Sequence, residues 1–204
     1  MTKWQIERWR DMLDDALERY PVTRRLEDDI ECVVRPLNAD DEKGFLSFLR
    51  VVPEIERLFI KPRLGGEDFV RQWFRDLDYD HALPLIAVAH GHIIGSATLQ
   101  QRDGGWKRHI GRVHSLTHPE YRDVGVSGML IEEIIHIARH VGLTRLEAEF
   151  NGERESARQC FKHAGFQEML RMKGYLKDMK GGGHDWVLLG MQLRTDPEFT
   201  GAGD

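Results

Sequence analysis

An arginine, two glycines and a serine fall within seven residues, Arg122-Asp123-Val124-Gly125-Val126-Ser127-Gly128, and an apolar run begins directly after them. The first turn of a helix leaves backbone N–H groups without partners and carries the positive end of the helix dipole. Gly125 and Gly128 keep side chains away from those N–H groups, and Arg122 can add a charge-assisted bond. The chemistry such a junction offers is the grip of a phosphate or pyrophosphate. No Gly-Lys-Ser/Thr follows, so it is not a P-loop, and the glycines have the wrong spacing for the dinucleotide-binding G-x-G-x-x-G. The plain alternative is a strand-to-helix turn with a surface arginine.

Other reactive residue types offer less. His136 and His140 lie four apart on a helix, which is metal-ligand spacing, but no HExxH surrounds them and no metal is expected. Cys160 has no histidine obviously placed to activate it and reads as a buried apolar residue. Arg154, Arg158 and Lys162 follow one another at four-residue steps, either as a solvated face or as contacts to phosphates.

Bulk composition excludes several classes. The 204 residues suffice for one domain, or one domain with an extension. Hydrophobic residues make up 41% and charged residues 31%, and the net charge of -5 argues against a protein whose main work is holding nucleic acid. The two cysteines, Cys32 and Cys160, form no finger or CxxC spacing, so a reduced, cytoplasmic protein is expected. No run approaches the roughly 18 apolar residues of a membrane span, and the charged N-terminus does not read as a signal peptide.

The elements that must position the junction follow from periodicity. Ile6, Trp9, Leu13, Ala16, Leu17 and Tyr20 form one helical stripe that ends at Pro21. "ECVVRPL" is a strand, and the segment from Asn38 to Phe59 is a helix with Asn38 or Asp40 as its cap. A further helix spaces Phe69, Trp73 or Phe74 and Leu77 along one face. Two strands then meet at His90-Gly91, a turn follows at Asp103 to Gly105, and "HIGRVHSLTH" is the next strand. After the junction, Val126, Leu130, Ile134, Ala138 and Val141 line the dry side of a long helix, with Glu132, Glu133, His136, Arg139 and His140 on the wet side. "TRLEAEF" is a strand, "RESARQCFKHAGF" a short helix, and two last strands enclose a glycine-rich turn. Residues 195–204 read as a disordered tail. One mixed sheet covered by helices fits this order.

With these elements in place, the segment from "RVHSLTH" through "CFKHAGF" resembles the GNAT superfamily of acyl-CoA-dependent N-acyltransferases. The family's loop reads R/Q-x-x-G-x-G/A after a hydrophobic-x-P element. Here it is Arg122-x-x-Gly125-x-Ser127 after Thr117-His118-Pro119, and Ala164-Gly165-Phe166 matches the family's helix end. The resemblance covers roughly residues 30–193 and divides the chain into an N-terminal helical extension (1–29), the acyltransferase domain (30–194) and the tail. Two residues depart from the pattern without harm to a backbone grip: Ser127 stands for the last small residue and Thr117 for an aliphatic one. A third departure matters more. Phe161 stands where many relatives carry a tyrosine that protonates the departing thiolate.

The resemblance implies an α/β fold with a mostly antiparallel central sheet, two splayed parallel central strands and flanking helices. It implies acetyl-CoA as co-substrate, with its pyrophosphate on Arg122, Asp123, Val124, Gly125, Val126, Ser127 and Gly128. The thioester carbonyl would be polarised by backbone N–H near Leu116 or Thr117, and Phe161 would pack on the cofactor arm. An acceptor amine, on a small molecule or a protein N-terminus or lysine, would attack directly. The base that takes its proton would be Glu147, which lies on the strand where some relatives place a catalytic glutamate. Glu149 on the same face is second, and His114 third. A non-catalytic acyl-CoA-binding domain is the alternative. Trp4 and Trp9 on the extension make a homodimer plausible.

Overall fold

Runs of alternating and β-branched residues give this chain its strands, and stripes at three- and four-residue spacing give it its helices. The computed structural model describes residues 3–53, 56, 67–101, 104–178 and 181–194, apart from the side chains of 3–8 and 67–69. In chain order these form α1 (Lys3–Leu17), β1 (Val22–Arg25), β2 (Glu31–Pro36), α2 (Glu42–Val51), α3 (Glu67–Arg75), β3 (Ala82–Ala89), β4 (His92–Gln100), β5 (Ile110–Thr117), α4 (Val126–His140), β6 (Arg145–Asn151), α5 (Glu155–His163), β7 (Gln167–Lys177) and β8 (Gly183–Gln192). One sheet holds the eight described strands in the order β1-β2-β3-β4-β5-β6-β8-β7. Neighbours run antiparallel except β5 and β6, which are parallel.

Each face of the sheet has its own core. On one face the dry stripe of α4 (Leu130, Ile134, Ala138) packs over Val113, Leu146 and Ala148, and Trp9, Leu13 and Ala16 of α1 close over it. On the other face α2 and α3 bring Phe45, Phe48, Val70 and Phe74 over Ile86, Ile93 and Leu116. Each such buried side chain contributes about 1.5–3 kcal/mol relative to exposure. Trp73 and Phe74 belong to this second core, edge to face at 5.4 Å, rather than to an open pocket.

The structure revises three expectations. Residues 1–29 are not a purely helical extension: Val22–Arg25 joins the sheet as an edge strand, with Val22 opposite Val34 and Arg25 opposite Glu31. Its sequence, VTRR, carries too little apolar signal to announce a strand. Trp9 is 8% exposed in the core of its own chain, so it is spent there and offers no surface to a second copy. Glu133 is not on a wet face: α1 and β1 cover it, and it is 4% exposed. The side chains of Trp4, Ile6 and Phe69, the reach of the second helix to Phe59, the turn residue Asp103 and the tail 195–204 lie outside the described residues.

Candidate active site

The parallel pair β5–β6 is short. It matches Ile110 with Arg145, Gly111 with Leu146 and Arg112 with Glu147, and there it ends. β5 nevertheless continues along β4 as far as Thr117 opposite Gly95, and β6 continues along β8 as far as Asn151 opposite Trp186. Beyond Arg112 and Glu147 the two strands therefore part, and a notch opens between them.

The register also fixes which backbone groups edge that notch. The His118 N–H donates to the Ile94 carbonyl at 2.9 Å. Partners alternate sides along a strand, so Leu116 directs its N–H to Ser96 on β4 while Ser115 and Thr117 turn theirs toward the notch. Of the two residues named from sequence, the geometry turns only the Thr117 N–H toward the notch. It gives Leu116 another task, since its side chain is 4% exposed in the core under α2. Ser115 is the notch residue that sequence reasoning missed. The parity that reveals it exists only once β4 and β5 are paired.

At the end of β5 the chain turns sharply into α4. Asp123 has φ +62° and Gly125, the residue that caps α4, has φ +90°, a left-handed conformation that glycine adopts without strain. The Gly125 carbonyl accepts the Met129 N–H at 3.0 Å, which leaves the N–H groups of Val126, Ser127 and Gly128 in the first turn for a ligand. A Cβ at Gly128 would meet nothing within 4 Å, so the turn presents an open side. Its position is braced twice. The Glu27 N–H donates to the Val124 carbonyl at 3.2 Å, so the N-terminal segment holds the loop. Gly95 lets α4 start close against β4: a Cβ there would come within 2.5 Å of the Val126 side chain.

The two small departures in the loop pattern turn out to be partners. Ser127 Oγ lies 2.5 Å from Thr117 Oγ1, and the Ser115 hydroxyl donates to it at 3.4 Å. The serine docks the first turn of α4 onto β5 instead of facing outward.

The face of the sheet away from α4 carries the charge. Glu147, Glu149 and His114 all stand on it, as alternation predicts. Glu147 is 8% exposed, with Lys107 Nζ 3.7 Å away, and it forms part of the wall of a small pocket with Gln100, Gln101, Lys107, Ile110 and Arg112. Glu149 is held by Arg112 at 2.9 Å. Burial, then the charges of Arg112 and Arg154, push the His114 imidazole down to about 4. At neutral pH the ring is therefore uncharged and a poor proton acceptor. Arg154, mostly enclosed, reaches Glu56, and the same carboxylate binds Arg122. Glu56 carried no sequence signal.

Three further residues have settled roles. Phe161 is 2% exposed and packs edge-on to Phe150 and Phe166, both at 5.1 Å, so its ring belongs to the core and offers no proton. Arg158 is neither solvated nor free for phosphate: it is 5% exposed, donates to the Gly152 carbonyl at 3.0 Å and pairs with Glu155 and Glu168. His140 pairs with Asp15 at 2.7 Å, which ties α4 to α1. Among the described residues no cluster of three His, Cys, Asp or Glu could hold a metal, and no helix is long and apolar enough to cross a membrane.

Sequence comparison decides what the notch and the loop belong to. Residues 49–166, more than half of the chain, match the model of the acetyltransferase (GNAT) family. This chain belongs to the GNAT family. The GNAT fold is seen in solved structures as well. The GNAT domain of PAT from S. lividans superposes with a TM-score of 0.68 at 23% identity, over 84% of this chain and 96% of that one. The ribosomal-protein-alanine N-acetyltransferase of Brucella melitensis gives 0.67 at 19%, over 78% and 99%. YncA of Salmonella typhimurium, solved with its cofactor acetyl-CoA, gives 0.67 at 14%, over 81% and 96%. No curated protein matches the chain. As a GNAT enzyme it is an acyltransferase, and the parted strands, the unpartnered N–H groups and the open side at Gly128 fit an acyl-CoA of the kind the family uses.

Proposed function

We propose that this enzyme moves an acetyl group from acetyl-CoA directly to a primary amine, with Glu147 as the base. The parting of β5 and β6 immediately beside the N-terminus of α4 carries the reading, because it sets free strand edge and helix-end N–H groups within one cleft. Acetyl-CoA supplies an activated thioester. Arg122 and the N–H groups of Val126, Ser127 and Gly128 would hold its pyrophosphate, with Asp123, Val124 and Gly125 shaping the turn. The N–H groups of Ser115 and Thr117 would hold the carbonyl oxygen as charge develops on it.

An acceptor amine has a pKa of about 8 to 10.4 and must lose a proton to attack. Glu147, enclosed in a pocket wall on the charged face, takes that proton. Glu149 is the second candidate, restrained by its bond to Arg112. His114 ranks below both, because its neutral ring binds protons too weakly near neutral pH. Phe161 cannot protonate the departing thiolate, so that proton comes from solvent. Thiolates leave readily, and placing the amine beside the thioester supplies much of the acceleration. The acceptor is a small-molecule amine, or a protein N-terminus or lysine. A cytoplasmic setting is consistent with Cys32 and Cys160, neither of which forms a disulfide.

Thermal melts with acetyl-CoA and longer acyl-CoAs, followed by CoA release against a panel of amines, test the reading. Stabilisation by acetyl-CoA with turnover on an amine is expected. With that amine in hand, Glu147→Gln lowers kcat by about tenfold or more at neutral pH. Unchanged turnover across the pH range transfers the role to Glu149.

A further inference from the structure

Glu56 stands between two arginines that come from opposite sides of the notch mouth. Its Oε1 accepts from Arg122 Nη2 at 2.6 Å, and its Oε2 lies 3.4 Å from Arg154 Nη2. Arg122 belongs to the turn that follows β5, and Arg154 to the turn that follows β6. One carboxylate thus serves two cations at the open ends of the parting strands. The two halves of this bridge differ in surroundings. The Arg154 side chain is 13% exposed and that of Arg122 43%. A guanidinium as enclosed as Arg154 cannot easily give up its counter-charge. Arg122 reaches into water and can exchange partners at little cost.

We propose that Glu56 is a positioning residue that holds Arg122 while the cofactor is absent and yields it to the cofactor's pyrophosphate, staying with Arg154. The proposal rests on the acetyl-CoA reading above and adds a residue that sets cofactor affinity. A carboxylate and a phosphate use the same face of a guanidinium, so they compete for it. Arg122 lies three residues before Gly125, on the turn whose open side takes the phosphates. A carboxylate left beside that turn also repels a pyrophosphate. Both effects have the same sign, so Glu56 weakens cofactor binding, and removing its charge strengthens it.

Calorimetric titration of acetyl-CoA into the wild type, Glu56→Gln, Arg122→Gln and the double variant reads this directly. Glu56→Gln is expected to bind acetyl-CoA about threefold tighter, with KM falling in parallel. The double variant is expected to bind no tighter than Arg122→Gln alone. S-acetylpantetheine, which lacks the pyrophosphate, is expected to bind wild type and Glu56→Gln alike. Equal or weaker binding of acetyl-CoA by Glu56→Gln overturns the proposal, as does a gain that survives in the Arg122→Gln background or appears equally with S-acetylpantetheine. Should Glu56→Gln fail to fold, Glu56→Ala carries the same comparison. Binding of acetyl-CoA to none of the four proteins overturns the acetyl-CoA reading and this one together. Equal binding by wild type and Glu56→Gln overturns the role of Glu56 alone.

Discussion

Glu133 and Glu56 are each shared between arginines, and they do different work. Glu133 on α4 accepts the Tyr20 hydroxyl at 2.8 Å and the Arg24 guanidinium at 2.9 Å and 2.5 Å, with Arg19 3.4 Å away. Its partners Arg19, Tyr20 and Arg24 all come from the stretch that leads out of α1 and through β1, and its side chain is 5% exposed. Burial, reinforced by the bond to Glu133, raises the Tyr20 hydroxyl well above its ordinary value, so it stays a donor throughout the physiological range. Glu56 has a similar pair of cations, but they sit on two loops and one of them faces a place where a ligand can compete. The composition of a charged cluster does not tell its role. What tells it is whether a partner can be exchanged without stranding a buried charge.

The largest expected effect separates the two clusters on stability. Glu133→Ala takes the acceptor from the half-buried Tyr20 hydroxyl and from Arg24, and is expected to lower unfolding stability by about 3 kcal/mol in denaturant titration. Its acetyl-CoA affinity should stay within about twofold of wild type. Glu56→Ala leaves one enclosed guanidinium, Arg154, without its carboxylate, and is expected to cost about 1–2 kcal/mol on the same measurement. Equal losses at the two sites would erase the distinction.

A middle-sized effect concerns pH. His114 is largely buried and lies in the fields of Arg112 and Arg154, and its folded pKa of about 4 is below the unfolded value of about 6.5. The unfolded chain therefore binds the proton first as pH falls. The stability contributed by the neutral ring is fully present above about pH 6.5 and is lost as pH falls toward 4. Between pH 7 and 4.5 this amounts to about 2 kcal/mol, and His114→Asn should flatten that part of the stability profile. A profile that His114→Asn leaves unchanged would mean the ring is not held neutral by its neighbours.

The smallest effect probes the loop itself. Ser127→Ala removes the hydroxyl contacts to Thr117 and Ser115, and is expected to cost about 0.5–1.5 kcal/mol of stability with no rise in the KM for acetyl-CoA. A KM several-fold higher would show that the hydroxyl faces the cofactor after all and would move Ser127 from docking to binding.

Much of this was legible in advance because the signals were local. A glycine at a helix start, a three-to-four-residue apolar stripe and a Gly-Phe helix end each depend on neighbours a few residues away. They located the loop at Arg122–Gly128, the long helix after it and the mixed sheet. Strand β1 was illegible because VTRR gains its place only by pairing with β2. Glu133 was misplaced on a wet face because its burial depends on α1, which packs on α4 from more than a hundred residues away. Leu116 and Thr117 could not be separated, since the direction of their N–H groups follows from the register with β4.

The sequence by itself determined that a helix starts after Gly125 with free N–H groups in its first turn, because φ angles, free N–H groups and glycine steric freedom are properties of a few consecutive residues. It also determined that Phe161 can give no proton. Only the tertiary structure decided that β5 and β6 part after Arg112, that Ser127 turns inward to Thr117, and that Glu56 stands between Arg122 and Arg154. Each of these joins residues far apart along the chain, and their energy depends on distance and burial, which no local pattern encodes.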